Sequence, residues 1–250
     1  MHRRIQVADT VLDCNDTEGP HRPVVLLNGM YGTQKDWASV QRLLNGKYRV
    51  ITFDERARGK SRRSADYSFA GCLDDLAAVT RETNLKLPLL VGWSHGAAVA
   101  VRYASQHPDD IAGIVCVDGA FPMDPIDDAE RQNIRKLFRR MALPMRILAA
   151  VGRSARMSTA AAAEANIELH DVLAGFAANY DRIRCPVTFV NAGATDEQLA
   201  RMRAGIDPIV DRNPLVTVFA TVPATHTRIL AKHPDTIVAA LDTVAAGSRN

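Results

Sequence analysis

The sequence predicts an α/β protein: a mostly parallel, doubly wound sheet with a helical segment inserted late in the sheet. Three observations predict it. Short apolar, β-rich runs alternate with longer segments of helical period. The runs are continuous in apolar character, as strands covered on both faces are. One interval, 121–185, breaks the rhythm and is helical in character throughout. Strand alternating with helix is the pattern of a parallel sheet packed by helices on both sides.

Taken in order, the strand-like runs are 24–27, ending at Asn28-Gly29; 48–53, ending at Asp54; and 88–91, ending at Gly92. Next come 114–117, ending at Asp118-Gly119, then 187–190 and 215–219. Among the helical segments, Leu73, Leu76, Ala77 and Thr80 recur at i, i+3, i+4 and i+7, and an alanine-rich stretch over 97–104 directly follows Gly96. Residues 229–246 read as a closing helix. Within 121–185, Ile134, Leu137, Phe138 and Met141 make one apolar face, with Arg135, Lys136, Arg139 and Arg140 beside it. The alanine run 160–163 favours helix as well. The expectation is one domain over 1–250, carrying 121–185 as a helical lid between two strands rather than as a second domain.

Composition narrows the class without naming a function. The 250 residues are 47% hydrophobic and 24% charged, too apolar for a disordered chain. No stretch approaches the ~18 uninterrupted apolar residues of a membrane span. The basic start Met1-His2-Arg3-Arg4 is not followed by an apolar signal core, so no secretion is expected. A formal net charge of +3 gives no concentrated basic stripe of the kind that binds nucleic acid. Cys14, Cys72, Cys116 and Cys185 form no C-x-x-C pair and read as free thiols in a reducing cytoplasm, not as a disulfide or zinc framework.

In open α/β sheets ligands sit beyond the carboxyl ends of the strands, so the residues that end each run carry the functional information. Gly92-Trp93-Ser94-His95-Gly96 is a G-x-S-x-G pentapeptide with a strand before it and a helix after it. In that context the sharp turn holds a serine above the sheet edge, and the flanking glycines let strand and helix approach closely. A serine hydroxyl attacks well only when a base takes its proton. Of the seven histidines, His226 is the candidate: it follows the last strand-like run and the loop 221–225, just before the closing helix, on Ser94's side of the sheet. His2 and His21 lie in the N-terminal arm, His107 and His233 precede prolines, and His170 reads as a solvated histidine of the insertion.

Taken together these features resemble the α/β-hydrolase fold superfamily, of the lid-bearing, esterase-like type, over nearly the whole chain from about residue 24 to 241. Asn28-Gly29-Met30-Tyr31-Gly32 resembles the H-G-x-x-G oxyanion loop, with Asn28 in place of the histidine. Asp54-Glu55-Arg56-Ala57-Arg58-Gly59-Lys60-Ser61 resembles D-x-R-G-x-G-x-S, with Ala57 where the pattern has a glycine. The resemblance implies an oxyanion hole made by the backbone N–H groups of Met30 and His95, with Asn28 bracing the loop. It also implies a third, acidic member that orients His226. Asp118 at a strand end is favoured. Asp196 is the alternative; it also reads as a first-turn acid behind an N-capping Thr195.

The expected activity is that of a serine hydrolase cleaving an ester, thioester or lactone of a small, largely apolar substrate through an acyl-serine, with no cofactor and no metal. The alternatives are a biosynthetic thioesterase or cyclase, a carbon–carbon bond hydrolase, or a non-catalytic small-molecule-binding protein on the same scaffold. In a biosynthetic setting the basic stretch 135–146 would dock an acidic carrier protein, although a solvated helix face accounts for the same residues. Arg56, Arg58, Arg62 and Arg63 read as exposed basic residues without an assigned role. Phe138, Met141, Met145 and Met157 are the apolar candidates for a pocket lining.

Overall fold

The computed structural model of the chain describes residues 1–152, 154–193 and 195–248. It opens with β1 (His2–Val7) and β2 (Thr10–Asp16), followed by β3 (Pro23–Leu27), α1 (Ala38–Leu44) and β4 (Arg49–Asp54). Next come α2 (Phe69–Glu82), β5 (Leu89–Trp93), α3 (His95–Gln106) and β6 (Gly113–Val117). Helices α4 (Asp128–Arg140), α5 (Ala142–Ala150), α6 (Thr159–Ala174) and α7 (Ala177–Tyr180) then intervene before β7 (Val187–Ala192). The chain closes with α8 (Asp196–Arg212), β8 (Val216–Val222), α9 (Ile229–Lys232) and α10 (Pro234–Gly247).

The strands form one eight-stranded sheet in the order β1-β2-β4-β3-β5-β6-β7-β8. From β4 through β8 neighbouring strands are parallel, and β2 joins β4 antiparallel. The continuous apolar runs are explained by what covers each face. Val25, Leu27, Leu90, Ile114 and Cys116 point to a core shared with α2, α3 and α8. Val24, Leu26, Leu89, Val91, Val115 and Val117 point to a second core with Trp37, α1 and α10. Because side chains alternate across a strand, two covered faces demand apolar residues at every position.

Three expectations are revised. The β1–β2 hairpin over 2–16 is not anticipated by the sequence. It pairs antiparallel from His2↔Asn15 to Val7↔Thr10 and carries His2, Arg3, Arg4, Asp13 and Asp16 within its strands. The closing helix is two helices. Pro234, lacking an N–H, starts α10 and cannot continue α9. The last strand is an edge, with Val218 and Phe219 exposed rather than covered on both faces. Among the described residues no helix is long and apolar enough to cross a membrane, and all four cysteines are buried free thiols.

After β4 the chain enters a tight, buried turn. Arg56, expected on the surface, is instead almost completely buried with Asp75 of α2, its Nη2 2.7 Å from Oδ1 and its Nε 3.1 Å from Oδ2. The pair clamps the turn against α2. Removing Asp75 leaves the buried guanidinium with only the exposed Asp66, 3.1 Å from its Nη1, a loss of up to about 3–5 kcal/mol. Asp75→Ala is therefore expected to lower unfolding stability in urea by about that amount; a loss below about 1 kcal/mol, the size of an exposed pair, would contradict this account.

Candidate active site

The site is built at the carboxyl ends of β3, β5, β6, β7 and β8. Ser94 follows β5 directly and starts the turn into α3 with φ 55° and ψ −115°, a backbone state that non-glycine residues rarely adopt. It persists because neighbours leave no alternative. Its N–H donates to the Val117 carbonyl at 2.9 Å. A Cβ at Gly92 would collide with the Gly96 carbonyl, one at Gly96 with the Leu27 carbonyl, and one at Gly119 with the Ser94 backbone. Crowding of this kind lets β5, α3 and the turn after β3 meet at the serine.

Ser94 Oγ lies 3.0 Å from His226 Nε2, and His226 Nδ1 lies 2.6 Å from Asp118 Oδ2. The other oxygen of Asp118 accepts the Ala192 N–H at 3.0 Å. A carboxylate only accepts, so the proton of the imidazole resides on Nδ1 and Nε2 presents its lone pair to the serine hydroxyl. Asp118 is 5% exposed and, like Ser94, sits at positive φ (47°) just past its strand. Asp196 is elsewhere: it is the exposed first residue of α8, whose N-cap Thr195 accepts the Gln198 N–H at 3.3 Å. Of the two carboxylates weighed in the sequence, the structure brings Asp118 to His226.

The turn after β3 carries Met30 and meets the first turn of α3, where the Leu27 and Asn28 carbonyls crowd Gly96. Asn28 Nδ2 donates to the Phe53 carbonyl at 2.7 Å and ties the turn to the end of β4. Gly32 N–H closes it on the Gly29 carbonyl at 2.9 Å. Among the described residues, the N–H groups of Met30 and His95 donate to no backbone carbonyl. Trp93, to which the sequence reading gives no role, joins both halves of the site. Its Nε1 donates to the His226 carbonyl at 3.2 Å, its ring centroid lies 5.5 Å from that of His226, and its six-membered ring packs on Gly29. A tryptophan inside a G-x-S-x-G pentapeptide is the only sequence signal for this role.

Ser94, His226 and Asp118 open into a cavity of about 480 Å³. Its wall is mostly apolar, with Ala120, Phe121, Met123, Leu173 and Met202, and α6 adds Leu169 and His170. This revises two expectations. Phe138 and Met145 do not face the serine; they pack with Ala162 and Ala163 in a separate cluster, against which Met157 is also packed, while Met141 is exposed. His170 is half-buried on the cavity wall rather than solvated, and its Nδ1 finds no hydrogen-bond partner among the described residues. No group of three or more metal-ligating side chains occurs among the described residues.

Residues 22–187 match the model of the alpha/beta hydrolase fold family. The chain belongs to that family. An α/β hydrolase of this size has whole-length structural neighbours. An esterase from Exiguobacterium antarcticum superposes with a TM-score of 0.78 at 18% identity, over 98% of this chain and all of that one. A bromoperoxidase from Bacillus anthracis gives 0.77 at 18% identity, over 98% of this chain and all of that one. In sequence, a putative carbamate hydrolase RutD from Caulobacter vibrioides is 34% identical over 107 residues, 42% of this chain and 40% of that protein. Ethanol acetyltransferase 1 from Wickerhamomyces anomalus is 27% identical over 128 residues, 48% of this chain and 33% of that protein. The alignments thus span well under half of these curated relatives.

In this α/β hydrolase the His95 ring points away from the chemistry and is almost completely buried, edge-on to Phe69 with ring centroids 5.6 Å apart. Burial, reinforced by the Arg58 guanidinium, pushes its protonation from 6.5 down to about 3. Between those values the unfolded chain binds a proton that the folded chain refuses. The stability linked to His95 is therefore fully present above pH 6.5 and is lost as the pH falls toward 3. In His95→Gln the drop in melting temperature between pH 7 and pH 4 is expected to be smaller than in the wild type. An unchanged drop would contradict this.

Proposed function

We propose that the protein is a serine hydrolase acting on esters, thioesters or lactones of small, largely apolar acyl groups through an acyl-serine intermediate. The observation that carries this reading is the continuous hydrogen-bonded series Asp118–His226–Ser94 at the mouth of a mostly apolar cavity. That cavity is within the usual range of about 300–1,000 Å³ for small-molecule sites. The similar proteins, an esterase and a putative carbamate hydrolase among them, support acyl transfer to water.

In this mechanism Ser94 Oγ attacks the substrate carbonyl while His226 Nε2 takes its proton, and Asp118 holds the ring and stabilises the imidazolium that forms. Negative charge grows on the former carbonyl oxygen, where the Met30 and His95 N–H groups receive it. Such donors act on the transition state more than on the substrate, and losing one costs about 3 kcal/mol. His226 then passes the proton to the departing alkoxide or thiolate. Water, deprotonated by the same ring, cleaves the acyl-serine and restores the hydroxyl. No cofactor enters these steps. The helices between β6 and β7 serve as a lid, with Leu169, His170 and Leu173 of α6 covering the acyl group.

The test is turnover of a short-chain p-nitrophenyl ester. Ser94→Ala is expected to lose more than about a thousandfold in kcat, and Asp118→Asn about ten-thousandfold at most. Asp196→Asn is expected to stay within about twofold of wild type, since nothing ties Asp196 to His226. Equal losses in the two aspartate variants would remove Asp118 from this role.

A further inference from the structure

Arg58 occupies a position that the D-x-R-G-x-G-x-S resemblance leaves free, and the sequence reads it as one of several solvated cations. The structure buries it: its side chain is 2% exposed, directly behind the turn that carries Met30. A guanidinium keeps its charge under all ordinary conditions and is costly to remove from water. Its interactions are therefore the reason it is tolerated. Nε donates to the Met30 carbonyl at 2.8 Å and Nη1 to the Arg56 carbonyl at 3.0 Å. Glu55 Oε2 lies 3.4 Å from Nε.

The backbone around Arg58 is shaped to aim it inward. Ala57 takes φ 63° and Gly59 φ 45°, and a Cβ on Gly59 would collide with the Asp54 carboxylate. The Arg58 N–H closes the turn on the Glu55 carbonyl at 2.9 Å. Within the neighbouring turn after β3, Asn28 is held at the Phe53 carbonyl and Met30 at Arg58, so both ends of the Asn28–Gly29–Met30 segment are anchored.

We propose that Arg58 is a positioning residue for oxyanion binding: its grip on the Met30 carbonyl fixes the Met30–Tyr31 peptide, the Gly32 N–H fixes the preceding Gly29–Met30 peptide through the Gly29 carbonyl, and with both planes held the Met30 N–H faces the oxygen held at Ser94. The proposal rests on the acyl-serine reading above, in which Met30 is a donor. It assigns the work of orienting the turn to Arg58 together with Asn28. The electrostatics agree with it. Burial pushes the Glu55 carboxyl up against the pull of Arg58, and the Met30 carbonyl dipole faces the same guanidinium at 2.8 Å.

The experiment compares wild type with Arg58→Gln and Arg58→Lys, using a soluble p-nitrophenyl ester and a boronic acid. The boronic acid adds to Ser94 Oγ and places one oxygen where the oxyanion forms. Arg58→Gln is expected to lower kcat by about 10- to 100-fold with KM within about threefold, because the lost interaction matters only in the transition state. Boronic acid affinity is expected to fall by the same factor as kcat. Arg58→Lys, which keeps the charge and one donor, is expected to fall between wild type and Arg58→Gln.

A lower melting temperature with kcat and boronic acid affinity unchanged would reduce Arg58 to a structural residue and overturn the proposal. If neither variant folds, the wild type carries the test. Its Arg58 Nε–H resonance, shielded from exchange by burial and the Met30 bond, is expected to shift when the boronic acid adduct forms, and a resonance that does not move overturns the proposal. Wild-type protein with neither ester turnover nor boronic acid binding would overturn the hydrolase reading itself, an outcome distinct from failure at Arg58 alone.

Discussion

At the end of β5 the backbone has almost no room. Ser94 is held at φ 55° by contacts that only glycine permits at Gly92, Gly96 and Gly119, and by its N–H bond to the Val117 carbonyl. This crowding sets where everything else in the site stands. It brings α3's first turn against the end of β3, where the Leu27 and Asn28 carbonyls crowd Gly96. It also puts the Asp118–Gly119 turn directly beside Ser94, which fixes the height of the carboxylate that His226 must reach. A single larger side chain at any of those three glycines would push two elements apart and separate Ser94 from His226 and Asp118.

Behind the site lies a second, electrostatic layer. The turn between β4 and α2 buries Arg56 against Asp75 and Arg58 against the Met30 carbonyl. Polar groups this deep specify one arrangement because a misplaced partner leaves a charge unsatisfied. The layer is therefore stiff behind the turn that follows β3, whereas the cavity in front is lined mostly by apolar side chains. His95 connects the two layers. Its backbone faces the serine, and its neutral ring is packed against Phe69 within the field of Arg58.

Much of this was legible in the sequence, for identifiable reasons. Strands β3 to β7 declare themselves because both faces are covered, and what ends them, Gly92, Asp118 and Asn28, is where chemistry gathers. Ser94 and His226 could be placed from strand–turn–helix context alone. The β1–β2 hairpin was hidden because its strands carry charge; Arg3 pairs with Glu18 and Asp16, and Asp13 accepts from His2 and Gln34. Arg56 and Arg58 looked like surface cations because burial of a guanidinium depends on acceptors supplied by distant segments, Asp75 and Met30 here. His170 and the true cavity wall were hidden for a related reason. Which face of α6 meets the serine is set by how the inserted helices fold back, and local periodicity does not encode that. Phe138 and Met145, apolar and correctly spaced, serve the insertion's own packing.

The central claim is that Ser94 is an activated nucleophile. Intact-mass spectrometry after treatment with a fluorophosphonate tests it most directly, because the reagent phosphonylates only a serine whose proton is being withdrawn and whose oxyanion is being received. The account predicts one adduct per chain, located by peptide mapping at Ser94 and absent in Ser94→Ala. An unchanged mass, or an adduct that persists in Ser94→Ala, would contradict it.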